Sequence, residues 1–192
     1  MTSTRLEAFS DGVLAIIITI MVLEIKVPHG TTWASLQPLV PVFYSYVLSF
    51  LFIAIYWGNH HHLLHTVKQV SWRMIWANTH LLFWLSLIPF ATGWMGENHF
   101  AQNTVILYAV ILLFCGVAFT ILQLTIQKEH PGNPQMEEAF EKLKRKGFLS
   151  LLGYLASIPL AFVNTTISAL IFLVVAIVWL IPDRNIEKAI TQ

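Results

Sequence analysis

Six stretches of this chain are apolar over about the length that crosses a lipid bilayer, and that repetition leaves few folds open. Runs without Asp, Glu, Lys or Arg cover residues 39–57, 74–95, 100–127, 147–163 and 165–182, each near the ~20 residues a helix needs to span the hydrocarbon. The sixth, residues 6–27, is apolar too but carries Glu7, Asp11, Glu24 and Lys26. With 56% hydrophobic and 11% charged residues and a mean hydropathy of +0.67, a soluble domain is excluded. The expected architecture is an all-α membrane protein: one domain over residues 1–192, with spans at about 6–27, 38–62, 73–95, 100–127, 147–163 and 165–182. A secretory signal peptide is the rival reading of the first run, but its leading residues are acidic as well as basic and no small-residue cleavage site follows.

Basic residues give the orientation. With the N-terminus inside, Arg5, Lys68, Arg73, Lys128, Lys142, Lys144, Arg145, Lys146, Arg184 and Lys188 all fall on the cytoplasmic side, ten of the eleven Lys and Arg, and only Lys26 falls outside. The positive-inside rule therefore predicts six spans with both termini cytoplasmic. The near-neutral charge argues against a nucleic-acid partner, and the basic cluster 142–146 reads as a topology anchor near anionic lipid. The longest connection, 128–146, opens on the breaker His130-Pro131-Gly132-Asn133-Pro134 and continues as a charged, helix-prone segment, expected to be a cytoplasmic linker. Asn164 alone separates the fifth and sixth spans. Asn164-Thr165-Thr166 matches a glycosylation sequon but is read as a turn and helix cap. Cys115 stands alone and is read as a buried small hydrophobe.

The first helix is the unusual one. A carboxylate toward the middle of a bilayer helix costs roughly 2.5–3.5 kcal/mol on insertion scales, so Asp11 marks a candidate functional site that needs a partner. Arg5 is the nearest cation on the same helix, six residues away and not stacked on it, so a second helix is expected to supply other donors. On a wheel of 100° per residue, Ile16, Ile20, Leu23 and Val27 share one stripe, while Ser10 and Asp11 point elsewhere, at about 120° and −140° from Ile16. Periodicity alone favours ordinary packing of that stripe against neighbouring helices.

The motif Arg5-x-x-x-Phe9-Ser10-Asp11 at the start of the first span resembles the signature of the transmembrane protein 175 family, known as lysosomal potassium channels in animals and as bacterial homologues. In that family the second helix ends in Trp-x-x-His, matched here by Trp57 and His60. The third carries an Asn followed by a Pro-containing segment, matched by Asn78 and Pro89. The resemblance covers the whole chain as one six-helix repeat, whereas the animal proteins carry two.

What it implies is a pore lined by the first helix of each repeat. Carried over by distance from Asp11, the narrowest ring is expected at Ile16, with Ile20 and Leu23 continuing the outward path and Thr19 as a polar contributor. One lining helix per chain cannot enclose a channel, and two repeats per animal chain joined as dimers imply a homotetramer here. An isoleucine ring offers no oxygen ligands, so a cation keeps much of its hydration or is excluded when the constriction dewets. The implied function is a potassium-preferring, leak-type cation channel, not an enzyme, in a prokaryotic plasma membrane. It needs no cofactor or metal besides the permeant potassium ion. Its partners are monovalent cations, the lipid bilayer and its own copies. Arg5, Phe9, Ser10, Asp11, Trp57, His60 and Asn78 are expected to form a buried network that fixes the lining helices or transmits gating; its competing role is only to hold the fold.

Other readings remain in play. His60, His61, His62 and His65 cluster at the end of the second span, with His61 and His65 at a spacing able to bind zinc or haem. No Cys or carboxylate accompanies them in sequence, so a proton-dependent role is preferred to a metal. A proton-coupled secondary transporter or a proton-conducting channel is the main alternative, although the first helix has no Pro in its apolar core. Ser10, Asp11 and His60 superficially suggest a hydrolase triad, yet Ser10 and Asp11 diverge on the helix and no oxyanion-hole element is evident.

Overall fold

In a computed structural model of the chain, residues 2–67, 69–129 and 134–180 are described. The breaker at 130–133, the last two residues of the sixth predicted span, and Lys68, Arg184 and Lys188 lie outside them. The described residues form seven α-helices and one 3-10 helix, with no strand: α1 (Ser3–Leu23), the 3-10 helix (Trp33–Leu39), α2 (Val40–His65), α3 (Trp72–Ser86), α4 (Ile88–Glu97), α5 (Gln102–Glu129), α6 (Pro134–Leu160) and α7 (Thr165–Leu180). Four stretches among them, Ser3–Leu23, Trp33–His65, Trp72–Glu97 and Gln102–Glu129, are long and apolar enough to cross a bilayer, and Thr165–Leu180 is a shorter apolar helix.

Local chemistry sets the ends. Ser71 caps α3 by accepting the Met74 amide at 3.2 Å, and Asn164 Oδ1 accepts the Thr166 amide at 2.8 Å at the start of α7, each satisfying an otherwise orphaned helix N–H. His99 and Phe100 adopt φ of 52° and 58°, closing the tight turn between α4 and α5.

Three expectations need correction. The first helix ends at Leu23, not near residue 27, so Val27 is off the helical stripe and 84% exposed. The third predicted span, 73–95, lies within one membrane-length apolar stretch, Trp72–Glu97, but that stretch is two helices and not one. Pro89 sits in the first turn of α4, where its ring cannot donate to the preceding turn, and the ladder breaks at Leu87. The charged segment after residue 134 is helical, as its composition predicts, but it is not an element separate from the fifth predicted span. It is the first half of α6, continuous with the fifth predicted span, because nothing from Pro134 to Ile158 breaks a helix. Its solvent face carries Glu138–Lys142 and Glu141–Lys144 pairs at 2.7 and 3.2 Å. Its other face buries Ala139, Phe140 and Leu143, and Gln123 Nε2 of α5 donates to the Phe140 carbonyl at 3.0 Å.

Helix α5 is the hub. It packs against α3, α4, α6 and α7, while α1 lies on the far side against α2, α3 and α4. Tyr108, Leu112 and Cys115 of α5 are fully buried with Phe52, Leu81, Met95 and Phe172. Helices α2 and α4 are in close contact at Gly96, where a Cβ would stand 2.5 Å from Ser45 Oγ and 2.7 Å from the Val42 Cα. Backbone cannot yield there as a side chain would. Gly96→Ala is therefore expected to lower stability by about 1–3 kcal/mol, read from thermal unfolding in detergent. Gly116→Ala, whose one tight contact is the end of the Leu151 side chain at 2.8 Å, should cost less.

A candidate pore face and the polar network behind it

Helix α1 has two unlike faces. Leu6, Ser10, Leu14, Ile17 and Met21, spaced by three and four residues, are buried against the bundle. On the opposite face Phe9, Ile16, Ile20 and Leu23 are 60, 59, 41 and 79% exposed, with Arg5, Gly12 and Thr19 exposed among them. Thr19 donates its hydroxyl to the Ile16 carbonyl at 2.8 Å, which satisfies the donor and leaves the oxygen outward. This stripe also forms one wall of an open groove of about 620 Å³ between α1 and α4, whose opposite wall includes Pro89, Phe90 and Gly93 and whose lining includes Glu24 and Glu97. Lys26 bonds Glu97 at 2.5 Å beside it. The pair is exposed and adds little stability.

Behind the stripe runs a buried chain of hydrogen bonds. Ser10 donates to the Leu6 carbonyl at 2.9 Å, Asn78 Nδ2 donates to Ser10 Oγ at 2.9 Å, and Asn78 Oδ1 lies 2.7 Å from His60 Nε2. An amide oxygen only accepts, so Nε2 carries the proton and the neutral ring leaves Nδ1 as an acceptor. Among the described residues that Nδ1 is buried without a partner. Three helices, α1, α2 and α3, are thus joined at one point by a buried hydrogen-bonded chain in which only Nδ1 of His60 is left over among the described residues.

A second ladder joins α1 to α2. The two run antiparallel, and every fourth residue of α1 meets its counterpart: Ser3 Oγ donates to the Leu64 carbonyl at 3.0 Å, Glu7 Oε1 meets His61 Nδ1 at 2.5 Å, and Trp57 Nε1 donates to Asp11 Oδ1 at 3.0 Å. Trp57, half exposed, also stacks on His61 with ring centroids 6.4 Å apart. Asp11 therefore takes its donor from the second helix. Arg5 points outward and makes no hydrogen bond or ion pair among the described residues, and Phe9 is exposed beside it. Of the seven residues expected in one network, Ser10, His60 and Asn78 form the buried chain, Asp11 and Trp57 a separate half-exposed pair, and Arg5 and Phe9 belong with the stripe. The histidine cluster does have a carboxylate, Glu7, supplied from another helix.

Sequence reasoning missed a third polar cluster. Ser49 of α2 bonds Thr92 of α4 at 2.6 Å and Tyr108 of α5 at 2.8 Å, all buried. Only the presence of hydroxyls inside three apolar runs signalled it, since the partners are 43 and 59 residues apart.

The comparisons agree with the motifs. A family profile described as "Endosomal/lysosomal potassium channel TMEM175" matches residues 5–89, a range that holds α1, the 3-10 helix, α2, α3 and the start of α4. The chain is similar to a potassium channel of Chryseobacterium sp. (strain P1-3), 51% identical over 192 residues and all of both chains. It is similar to a potassium channel of Streptomyces collinus, 32% identical over 176 residues, with 86% of this chain and 85% of that one covered. Its fold matches the crystal structure of a lysosomal potassium-selective channel TMEM175 homologue from Chamaesiphon minutus, with a TM-score of 0.81, 28% identity and coverage of 95 and 97%. A 51% identity over the full length of a bacterial potassium channel, the TMEM175 profile over the motif-bearing helices and the all-helical fold of a TMEM175 homologue lead to one conclusion: the chain belongs to the TMEM175 family.

Proposed function

We propose that this chain is one quarter of a homotetrameric, potassium-preferring leak channel lined by α1, with Ile16 at the constriction and Ile20, Leu23 and Thr19 beyond it. In this reading the chain is a single domain of six spans in a prokaryotic plasma membrane, with both termini cytoplasmic. The observation that carries the proposal is the uncovered stripe of α1. A lipid-facing helix has no use for Arg5 on the same azimuth as Ile16 or for Glu24 at the far end of the groove, whereas a water-filled path does. Four copies about an axis bring the stripes together, close the path and present Glu24 and Glu97 near one mouth, where acidic groups favour cations.

The isoleucines supply no ligands, so a cation crosses them largely hydrated. Potassium sheds water at lower cost than sodium, and the outward Thr19 oxygens ease that step. Discrimination is accordingly weaker than in a carbonyl-lined filter. The relatives' description as potassium channels supports the choice of ion. No resident cofactor enters the mechanism. The buried Ser10–Asn78–His60 chain holds α1 at a fixed rotation, which keeps the stripe aimed at the axis.

The test is the reversal potential of the purified protein in a planar bilayer with potassium on one side and sodium on the other. A tenfold permeability ratio gives about 59 mV, and the expected shift is positive for potassium and no larger than that. A zero shift with open channels refutes the ion preference. A potential that follows a proton gradient instead assigns the proton-conducting reading, which the unpartnered Nδ1 of His60 favours as the second choice.

A further inference from the structure

The ladder between α1 and α2 ends in a group of side chains that the pore does not use. Glu7 of α1 and His61 and His65 of α2 each present one ligand atom, all within 4.8 Å of one another. Glu7 and His61 already meet at 2.5 Å, and the His61 and His65 rings stand edge to face at 4.4 Å between centroids.

We propose that Glu7, His61 and His65 form a binding site for a divalent transition metal of the zinc type, which ties the start of α1 to the end of α2. Zinc takes imidazole nitrogen and carboxylate oxygen at about 2.0–2.2 Å in tetrahedral array, so its ligand atoms stand roughly 3.3 Å apart. The three donors bracket that separation, and small side-chain rotations close it. Two histidines at i and i+4 on one helix face are an established metal-chelating pair. The chemistry is selective as well: two imidazoles and one carboxylate suit zinc, cobalt or nickel, whereas magnesium and calcium prefer all-oxygen sites.

The surroundings fit the assignment. Trp57 stacks on His61 and restricts its ring, which lowers the entropy lost on binding. The Glu7 side chain is 19% exposed and that of His61 42%, while His65 is exposed. The metal can therefore arrive from water and keep a water molecule as its fourth ligand. No step here depends on α1 lining a pore.

The site is tested on the full chain, purified without a polyhistidine tag into lipid nanodiscs and titrated with Co2+ alone. The visible d–d absorption is strong for four-coordinate and faint for six-coordinate cobalt. The expected result is one four-coordinate Co2+ per chain, displaced by Zn2+. Binding should weaken at least about tenfold, the scale on which even indirect ligand support acts, in Glu7→Gln and in His65→Ala, and persist in His62→Ala. His65 makes no hydrogen bond among the described residues, so a thermal unfolding curve unchanged in His65→Ala separates lost metal from lost fold. Octahedral cobalt, or binding that survives both substitutions, overturns the proposal.

Discussion

Ile16→Asn is expected to raise cation conductance about tenfold and to abolish most of the preference for potassium over sodium. Ile16 is 59% exposed within its own chain, so the substitution removes little buried apolar area and leaves the protomer intact. In a tetramer it occurs four times on one ring, and the four amides replace methyl groups that hold water away with oxygens and N–H groups that attract it. A barrier lowered by about 1.4 kcal/mol over the whole ring accounts for the tenfold gain. Selectivity falls for the same reason: once the constriction is wet, neither ion has to shed water there. Single-channel conductance and the reversal potential between potassium and sodium read both effects. Ile17→Asn is the contrast. Ile17 is 3% exposed and faces the bundle, so its substitution buries an amide and is expected to reduce folded protein without widening any path. Unchanged conductance in Ile16→Asn with an intact oligomer places the constriction elsewhere.

Much of α1 was legible from one dimension because a helix converts spacing into direction. The wheel alone separates Ile16, Ile20 and Leu23 from Ser10 and Asp11, and the structure turns the first three outward and buries Ser10. What it cannot give is register between helices. Asp11 finds Trp57 and Glu7 finds His61 because α1 and α2 pack antiparallel with residue 7 opposite residue 61, a choice made by the whole interface. That register is why Arg5, the nearest cation in sequence, is not the partner of Asp11. The segment after Pro134 misled for another reason: charge fixes which residues leave the bilayer, but a helix ends only at a breaker or cap, and α6 meets neither at the membrane boundary. Pro89 did carry a readable signal. A proline inside a predicted span breaks or kinks the helix before it, and α3 ends at Ser86.

Asn78→Ala is expected to destabilise the chain by about 2–4 kcal/mol, out of proportion to the atoms removed. Asn78 is fully buried and gives both ends of its amide to other helices. Its loss strands the Nε2–H of His60, on a ring whose Nδ1 is already without a partner. An orphaned buried donor costs about 1–3 kcal/mol, and the space left by the amide adds a cavity cost at about 24 cal/mol per Å³. Ser10 suffers less, because its own proton still reaches the Leu6 carbonyl. This asymmetry yields a sharper test than the single variant. If the penalty comes from the stranded histidine, replacing that ring as well should return part of it, since removing both partners of a buried hydrogen bond is far cheaper than removing one. In a double-mutant cycle of Asn78→Ala and His60→Phe, the double variant should therefore be at least about 1 kcal/mol more stable than the sum of the singles requires. Unfolding followed by tryptophan fluorescence in detergent gives the four stabilities. Strict additivity would mean that His60 and Asn78 do not depend on each other, and that something other than this bond fixes α2 and α3 behind the stripe of α1.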